Sequence, residues 1–276
     1  MAKDQKTSPY FTRKRPDITS CLPFPPTSAV SFGLIQEKLA HEPFRLLIAT
    51  IFLNRTKGEV AIPVLYSVFE QYPTIESLAE ADFDELVSLI RRLGFQNSRA
   101  KKCIAIAKSW VANAPKRGER YRKLHYPNKS DGLGVGCNEV VVDDDSRVAW
   151  EIAHLPGVGP YAIDSWRIFC RDELRGLASD WNGADAPEGF SPEWKSVRPK
   201  DKELCAFLTW MWLKDGWIWD PQTGEKVAAT RRIYRAVQDG GLVLQKSNGK
   251  WCLDLTAIGE TSLSIEVGAA KFVNTI

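Results

Sequence analysis

The sequence predicts a mainly α-helical protein with a small helix-plus-β-hairpin appendage at its C-terminal end. Three observations carry that reading. Apolar residues recur at helical spacing: Phe44, Leu47, Ile48, Ile51 and Phe52 follow the i, i+3, i+4, i+7, i+8 stripe of a buried helical face. A tight turn, L-P-G-V-G-P-Y at residues 155–161, separates two further amphipathic stretches. Strand-like patterning enters only after Trp219, where L-V-L-Q-K-S-N-G-K-W-C-L-D-L turns at Asn248-Gly249.

Taken in order, residues 1–29 form a leader rich in Pro, Ser and Thr, with a basic cluster at Arg13-Lys14-Arg15. That cluster suits a solvated tail, a nuclear-import signal or an arm that touches DNA. The main domain is expected over residues 30–219, with helical patterning from Ser31. A helix follows over about residues 60–71, tolerating Pro63 in its first turn. Asp82-Phe83-Asp84-Glu85 has the acid-x-x-Glu pattern of a capped start, and Gly94 closes that helix. The next helix runs over about residues 98–111 and carries Arg99, Lys101 and Lys102 in its first turns. Cations there oppose the helix dipole, so either an anionic partner offsets them or they are ordinary surface charges.

Residues 115–147 read as an insertion and a mobile loop, basic at K-R-G-E-R-Y-R-K and acidic at Asp143-Asp144-Asp145. Its G-L-G-V-G does not match a phosphate loop, since no strand leads in and no Gly-Lys-Ser/Thr follows. Residues 176–196 form a second loop containing Gly, Pro and Trp. The stretch W-M-W-L-K-D-G-W-I-W has tryptophans spaced to pack on a core rather than to stack bases. Residues 220–276 make the appendage: a helix over about 230–237, the hairpin, and T-S-L-S-I-E-V as a third strand.

Composition narrows the function classes. The chain has 276 residues, 44% of them hydrophobic, enough for a substantial core in one or two domains. No apolar run approaches the ~18 residues needed to span a bilayer, and the start lacks the apolar core of a secretory signal. An intracellular protein without a membrane partner is expected. Cys21, Cys103, Cys137, Cys170, Cys205 and Cys252 are scattered with no C-x-x-C pair, so buried free thiols are expected and no zinc or iron–sulfur site. A net charge of +3 permits a nucleic-acid partner without requiring one.

The turn at 155–161 carries more chemistry. A helix over about residues 147–154 precedes it, and A-I-D-S-W-R-I-F-C continues as a second. Gly157 and Gly159 permit positive φ and close approach, so N–H groups around Val158 can converge on an oxygen. Pro160 suits the first position of the second helix, whose N-terminus attracts phosphate. A plain packing turn is the alternative.

Four blocks, in this order, carry a resemblance: F-R-L-L-I-A-T-I-F-L-N-R-T-K-G, L-G-F-Q-N-S-R-A-K-K, L-P-G-V-G-P-Y-A-I-D-S-W-R-I-F-C and V-R-P-K-D-K-E-L. They resemble the helix-hairpin-helix (HhH-GPD) DNA glycosylase superfamily, over roughly residues 31–213. Within it they resemble the glycosylase domain of the methyl-CpG-binding domain protein 4 type, the mismatch-directed thymine/uracil branch. The resemblance implies a two-lobed helical fold with the substrate cleft between its lobes.

The resemblance also implies roles. Asp201, in V-R-P-K-D-K-E-L, matches the catalytic aspartate, with Trp210 and Trp212 at the family's spacing after it. Asp164 is nearer the hairpin, but lies within its second helix, where a structural role fits. A carboxylate suits the chemistry, because breaking an N-glycosidic bond builds positive charge on the sugar. Tyr161 stands where bifunctional relatives carry a nucleophilic lysine, and a phenol cannot form a Schiff base, so a monofunctional enzyme is implied. Gln36 and Tyr161 match the base pocket, and Arg55 and Phe95 the residues that fill the helix after the target nucleotide flips out. Gly157, Val158 and Gly159 match the phosphate-binding hairpin.

The sequence therefore predicts a monomeric glycosylase that removes thymine or uracil from G·T and G·U mismatches in base excision repair. Its partner is double-stranded DNA with a flipped base, in the nucleus of a eukaryote or the cytoplasm otherwise. No cofactor is required, although a monovalent cation at the hairpin is left open. Two alternatives stay open as well: a non-catalytic helix-hairpin-helix DNA-binding protein, and a glycosylase for another base such as mismatched adenine.

Overall fold

In the computed structural model, the described residues are 24–239 together with the backbone of three short strands, 243–245, 251–253 and 265–266. The Arg13-Lys14-Arg15 cluster and the Asn248-Gly249 turn lie outside them. Among the described residues, helices dominate and strands are confined to the C-terminal part, so the protein is mainly α. None of these helices is long and apolar enough to cross a membrane.

The chain divides into two units. The larger covers Ser31–Leu208. It opens with α1 (Ile35–Lys38), α2 (Pro43–Leu53), α3 (Gly58–Gln71), α4 (Ile75–Ala79) and α5 (Phe83–Leu89). Pro43 starts α2 at a position whose N–H would have no helical acceptor. The predicted stripe on α2 is wider than expected: Leu46 and Ala49 are buried with Leu47, Ile48 and Phe52, because α3, α6 and α7 all pack on it. Ile51 is the exception, for it lines a cleft instead of the core.

α3 starts at Gly58, two residues before the predicted boundary, so Pro63 sits inside the helix rather than in its first turn. Asp82 caps α5 as the sequence indicates, its Oδ1 accepting from the N–H groups of Asp84 and Glu85 at 2.9 Å. A 3-10 turn at Arg91–Leu93 ends on Gly94 at φ +68°, and α6 (Gln96–Ala112) follows. α7 (Pro160–Phe169) and α8 (Arg171–Leu174) come after the long loop, and α9 (Lys202–Lys214) begins near the end of this unit.

The helix predicted over residues 147–154 does not form. Trp150 exchanges two backbone bonds with Tyr121, at 2.9 and 3.0 Å, which holds it extended. Pro156 disfavours a helical conformation at Leu155. Only residues 151–154 remain between those constraints, and they make turns, with Ala153 N–H bonded to Trp150 O and Leu155 N–H to Ile152 O.

The loop predicted as mobile is tied down instead. Arg120 pairs with Val141 by two backbone bonds, and Val135, Val141 and Ala149 bury one another. Arg147 ion-pairs with Asp145 at 2.6 Å and with Glu139. Cys103 and Cys170 are buried free thiols, as expected, but Cys137 on this loop is exposed.

The smaller unit takes residues 1–30 and 209–276. β1 (Trp217–Trp219) and β2 (Lys226–Ala228) form an antiparallel pair that the sequence reading did not anticipate. α10 (Arg231–Asp239) packs Ile233 and Val237 against Leu213 and Ile218. β3 (Val243–Gln245), β4 (Trp251–Leu253) and β5 (Ile265–Glu266) form the predicted hairpin and its third strand, in antiparallel order β3-β4-β5. Trp210, Trp212 and Trp219 are buried and Trp217 is partly exposed, which favours packing over base stacking for this cluster.

Candidate active site

Within the larger unit, a cleft of about 330 Å³ opens between the C-terminal end of α2, the start of α6 and the turn before α7. Arg55, Phe95, Gly157, Gly159 and Tyr161 all line it, with Arg99 and Lys102 beside them. Five residues singled out by sequence thus meet in one place. Its lining includes three cationic side chains and no carboxylate, so the cleft favours an anion.

Backbone polarity acts in the same direction. The residues preceding α6 and α7 are Phe95 and Gly159, and neither offers a side-chain cap. Both also line the cleft, so two helix N-termini present uncapped N–H groups there. Lys101 and Lys102 near the start of α6 are exposed, as an anion-binding helix start allows.

Gly157 has φ +78°, and a side chain on it would press on the Lys102 stem, so glycine is required at this position. Gly159, in contrast, is extended at φ −113°, and a Cβ there would meet nothing within 4 Å. Its value is open space rather than conformational freedom. Val158 between them is buried.

Arg55 and Phe95 are strained. They hold φ of +62° and +50°, a left-handed conformation that side-chain-bearing residues adopt at a cost of about 1–2 kcal/mol. Phe95 is also 70% exposed, which removes core packing as its role. Two strained, solvent-facing side chains at the rim of one cleft indicate a functional demand on their placement.

Arg99 explains how that rim is held. It is buried, not a surface cation, and its guanidinium donates to Ile51 O at 2.8 Å, Phe52 O at 2.5 Å, Asn54 O at 2.9 Å and Thr56 Oγ1 at 2.7 Å. The three carbonyls among these acceptors lie at the end of α2, so Arg99 caps that helix and fixes the turn that carries Arg55. Burial pulls its pKa down from the usual arginine range. A signal was present in the sequence: Arg99, Cys103 and Ile106 fall at i, i+4, i+7 on the buried face of α6.

The cleft continues to a second group of residues through Tyr161. Gln36, on α1, is buried and donates from Nε2 to the Tyr161 hydroxyl at 2.9 Å. The other atom of its amide, Oε1, is buried without a hydrogen-bond partner. Burial pushes the Tyr161 phenol well above its ordinary pKa, and the nearby charge of Asp201 adds to the shift. Tyr161 is therefore a neutral phenol at physiological pH.

Asp201 immediately precedes α9. Its Oδ1 accepts from the N–H groups of Glu203 at 3.0 Å and Leu204 at 3.1 Å, so one oxygen caps the helix while Oδ2 takes neither bond. Burial raises its pKa above the usual carboxylate range, partly countered by those two N–H groups. Asp164 stands apart in character: it lies within α7, is buried, and accepts from the Tyr126 hydroxyl at 2.6 Å. Gln36, Tyr161 and Asp201 thus form one polar cluster, while Asp164 belongs to a buried network with Tyr126 and Arg167.

The Methyl-CpG-binding domain protein 4-like protein of Arabidopsis thaliana is 27% identical over 171 residues, 62% of this chain and 29% of that protein. The Thymine-DNA glycosylase of Aeropyrum pernix is 36% identical over 67 residues, 24% of this chain and 30% of that one. Endonuclease III of Thermotoga maritima is 33% identical over 70 residues, 25% of this chain and 33% of that one. The chain matches about a third or less of the length of each of these relatives. The profile of the HhH-GPD superfamily base excision DNA repair protein matches residues 48–233, from inside α2 to α10, and so takes in the cleft, the turn and Asp201. The chain belongs to the HhH-GPD superfamily of base excision DNA repair proteins.

Proposed function

We propose that this protein is a monofunctional DNA glycosylase that excises thymine or uracil opposite guanine from double-stranded DNA. The observation that carries the reading is the Gln36 amide: its Nε2 is committed to Tyr161, and its buried Oε1 has no partner. A buried acceptor left open costs about 1–3 kcal/mol, and a ligand N–H offsets that cost. Thymine and uracil carry an N–H at ring position 3, whereas cytosine carries an acceptor there and would face Oε1 with a repulsive contact.

In this reading, DNA phosphates sit at the N–H groups of the Gly157–Gly159 turn and at the start of α6. The target nucleotide leaves the stack, at a cost of a few kcal/mol, and Arg55 and Phe95 fill the space it vacates. The flipped base meets Gln36 and Tyr161. As the bond from C1′ to the base lengthens, positive charge grows on the sugar and the Asp201 carboxylate faces it. Water, oriented by the same carboxylate, then bonds to C1′ as the base departs with the bonding electron pair, and the proton that the water gives up ends on the base. Free base and an intact abasic strand result. Tyr161 supplies a phenol at the hairpin, not an amine, and Lys202 beside Asp201 is paired with Glu203 at 3.8 Å.

The test is base release from G·T, G·U and A·G duplexes, each read with and without alkali. Release from G·T or G·U, with strand breakage only after alkali, is expected. Breakage without alkali, together with borohydride trapping of a protein–DNA adduct, would assign a lysine nucleophile. Duplex binding with no release from any of the three would leave a non-catalytic DNA-binding protein.

A further inference from the structure

Lys123, from the long loop, reaches the hairpin turn. Its ammonium donates to the backbone carbonyl of Val158, 35 residues away, at the centre of Gly157-Val158-Gly159. The contact is built in from several sides. Tyr121, two residues earlier, is bonded in both directions to Trp150, in the segment that enters the turn. Gly132 has φ +78°, and any Cβ on it would run into the Lys123 carbonyl, so the backbone of Lys123 is closely held. Val158 is itself buried and cannot swing away.

The charge of Lys123 has no ordinary explanation in the fold. It is half-buried, and burial lowers its pKa below the usual lysine range. Among the described residues no carboxylate pairs with it, and its partner is a neutral carbonyl. A partly desolvated cation without a counter-charge is costly unless an anion arrives. The Gly157 and Gly159 N–H groups of the same turn have no backbone acceptor, and Gly159 faces open space.

A monovalent metal ion at this turn would need its carbonyl oxygens, as hard cations do. The Val158 carbonyl already accepts from an ammonium, and a second cation on the same oxygen would be repelled by it. The donor set therefore does not fit the monovalent ion that the sequence left open. We infer that Lys123 is the fixed cation of the hairpin, so that the turn holds a DNA phosphate with a covalently tethered charge and no exchangeable metal ion. This rests on reading the turn as a phosphate site.

The experiment is affinity for a fully matched duplex, by fluorescence anisotropy, in lithium, sodium, potassium and tetramethylammonium chlorides at equal ionic strength. Matched duplex is used because its binding is read without base release, so failure of the excision reading leaves this test intact. The parent protein is expected to bind within about twofold across the four salts, since only screening and counterion release act. Lys123→Met should bind about tenfold more weakly in tetramethylammonium, which cannot enter the turn, and regain part of that loss in sodium or potassium. Lys123→Arg, which keeps the charge, should follow the parent. A parent that weakens fivefold or more when potassium gives way to tetramethylammonium, beyond the roughly twofold allowed to screening, would overturn the inference. So would a folded Lys123→Met protein that binds like the parent in every salt. The parent salt series stands alone if that variant does not fold.

Discussion

Replacing Asp201 by asparagine separates the helix cap seen in the structure from the catalytic task proposed for the same side chain. As a cap, Asp201 uses only Oδ1, which accepts at 3.0 and 3.1 Å from Glu203 and Leu204. Asparagine offers the same oxygen and ranks with aspartate as a cap, so α9 should keep its start, whereas alanine should cost about 1 kcal/mol. Because burial already disfavours the charge of Asp201, removing it should leave the melting temperature unchanged or raise it. As a catalytic group, the carboxylate opposes positive charge on the sugar, and loss of one such electrostatic contact is worth about 10²–10³ in rate. Asp201→Asn should therefore slow base release at least ~100-fold, about 2.7 kcal/mol of transition-state stabilisation.

The assay is single-turnover release from a G·U duplex with protein in excess, with duplex affinity measured in parallel. Unchanged affinity, a preserved melt and a collapsed rate form the expected pattern. Asp164→Asn is the control, since the Asp164 carboxylate already accepts from the Tyr126 hydroxyl in a buried network; it should retain a rate within about tenfold of the parent, about 1.4 kcal/mol. An Asp201→Asn protein that releases base normally while Asp164→Asn is inactive would refute the assignment. The pH profile is a second check. With its pKa raised, Asp201 takes up a proton at higher pH than the ordinary ~3.9 for aspartate, so base release should fall with acidification before that value is reached. Folded protein then binds more protons than unfolded protein in that window, so stability falls as pH rises through the folded pKa. The difference between parent and Asp201→Asn isolates this from Asp164 and Asp172, whose carboxyls burial also raises.

Gly159→Val should fold, because φ is −113° and no atom lies within 4 Å of the new Cβ; it should weaken matched and mismatched duplex binding alike, by about tenfold, with a salt slope altered far less than the ~0.9 of a lost lysine contact. A folded variant that binds like the parent would reduce the turn to a connector. Phe95→Gly should relieve the φ +50° strain and stabilise the protein by about 1 kcal/mol in denaturant unfolding, while slowing excision more than it weakens matched-duplex binding. Loss of stability, or unchanged excision, would remove Phe95 from the wedge role. Arg99→Leu should cost about 3 kcal/mol in the same unfolding measurement, because the carbonyls at the end of α2 lose their donor. A variant as stable as the parent would show those carbonyls find water instead.

What the sequence made legible follows from the range over which each signal acts. Helical stripes and the Asp82 cap are local, so periodicity and capping chemistry place them. Even there, period alone cannot tell a core from a cleft wall: Ile51 fits the stripe of α2 yet lines the cleft, beside cationic side chains that distant parts of the chain bring to it. Gln36 and Tyr161 lie 125 residues apart and meet at 2.9 Å, a pairing for which no spacing rule exists; the family resemblance put both in one pocket, and the fold supplies the bond between them. The left-handed backbone at Arg55 and Phe95 is illegible for a different reason, because side-chain-bearing residues adopt it against their own preference and only the surrounding structure imposes it. Lys123 is the extreme case. It sits in a loop with no periodicity, among several basic residues that look alike, and its contact with Val158 depends on the Tyr121–Trp150 bridge and on the room left by Gly132. Each of those residues is ordinary by itself. The same bridge that prevents a regular helix before the turn also brings Lys123 to it, so the failure of the predicted helix at residues 147–154 and the presence of a tethered cation at the hairpin have one physical cause.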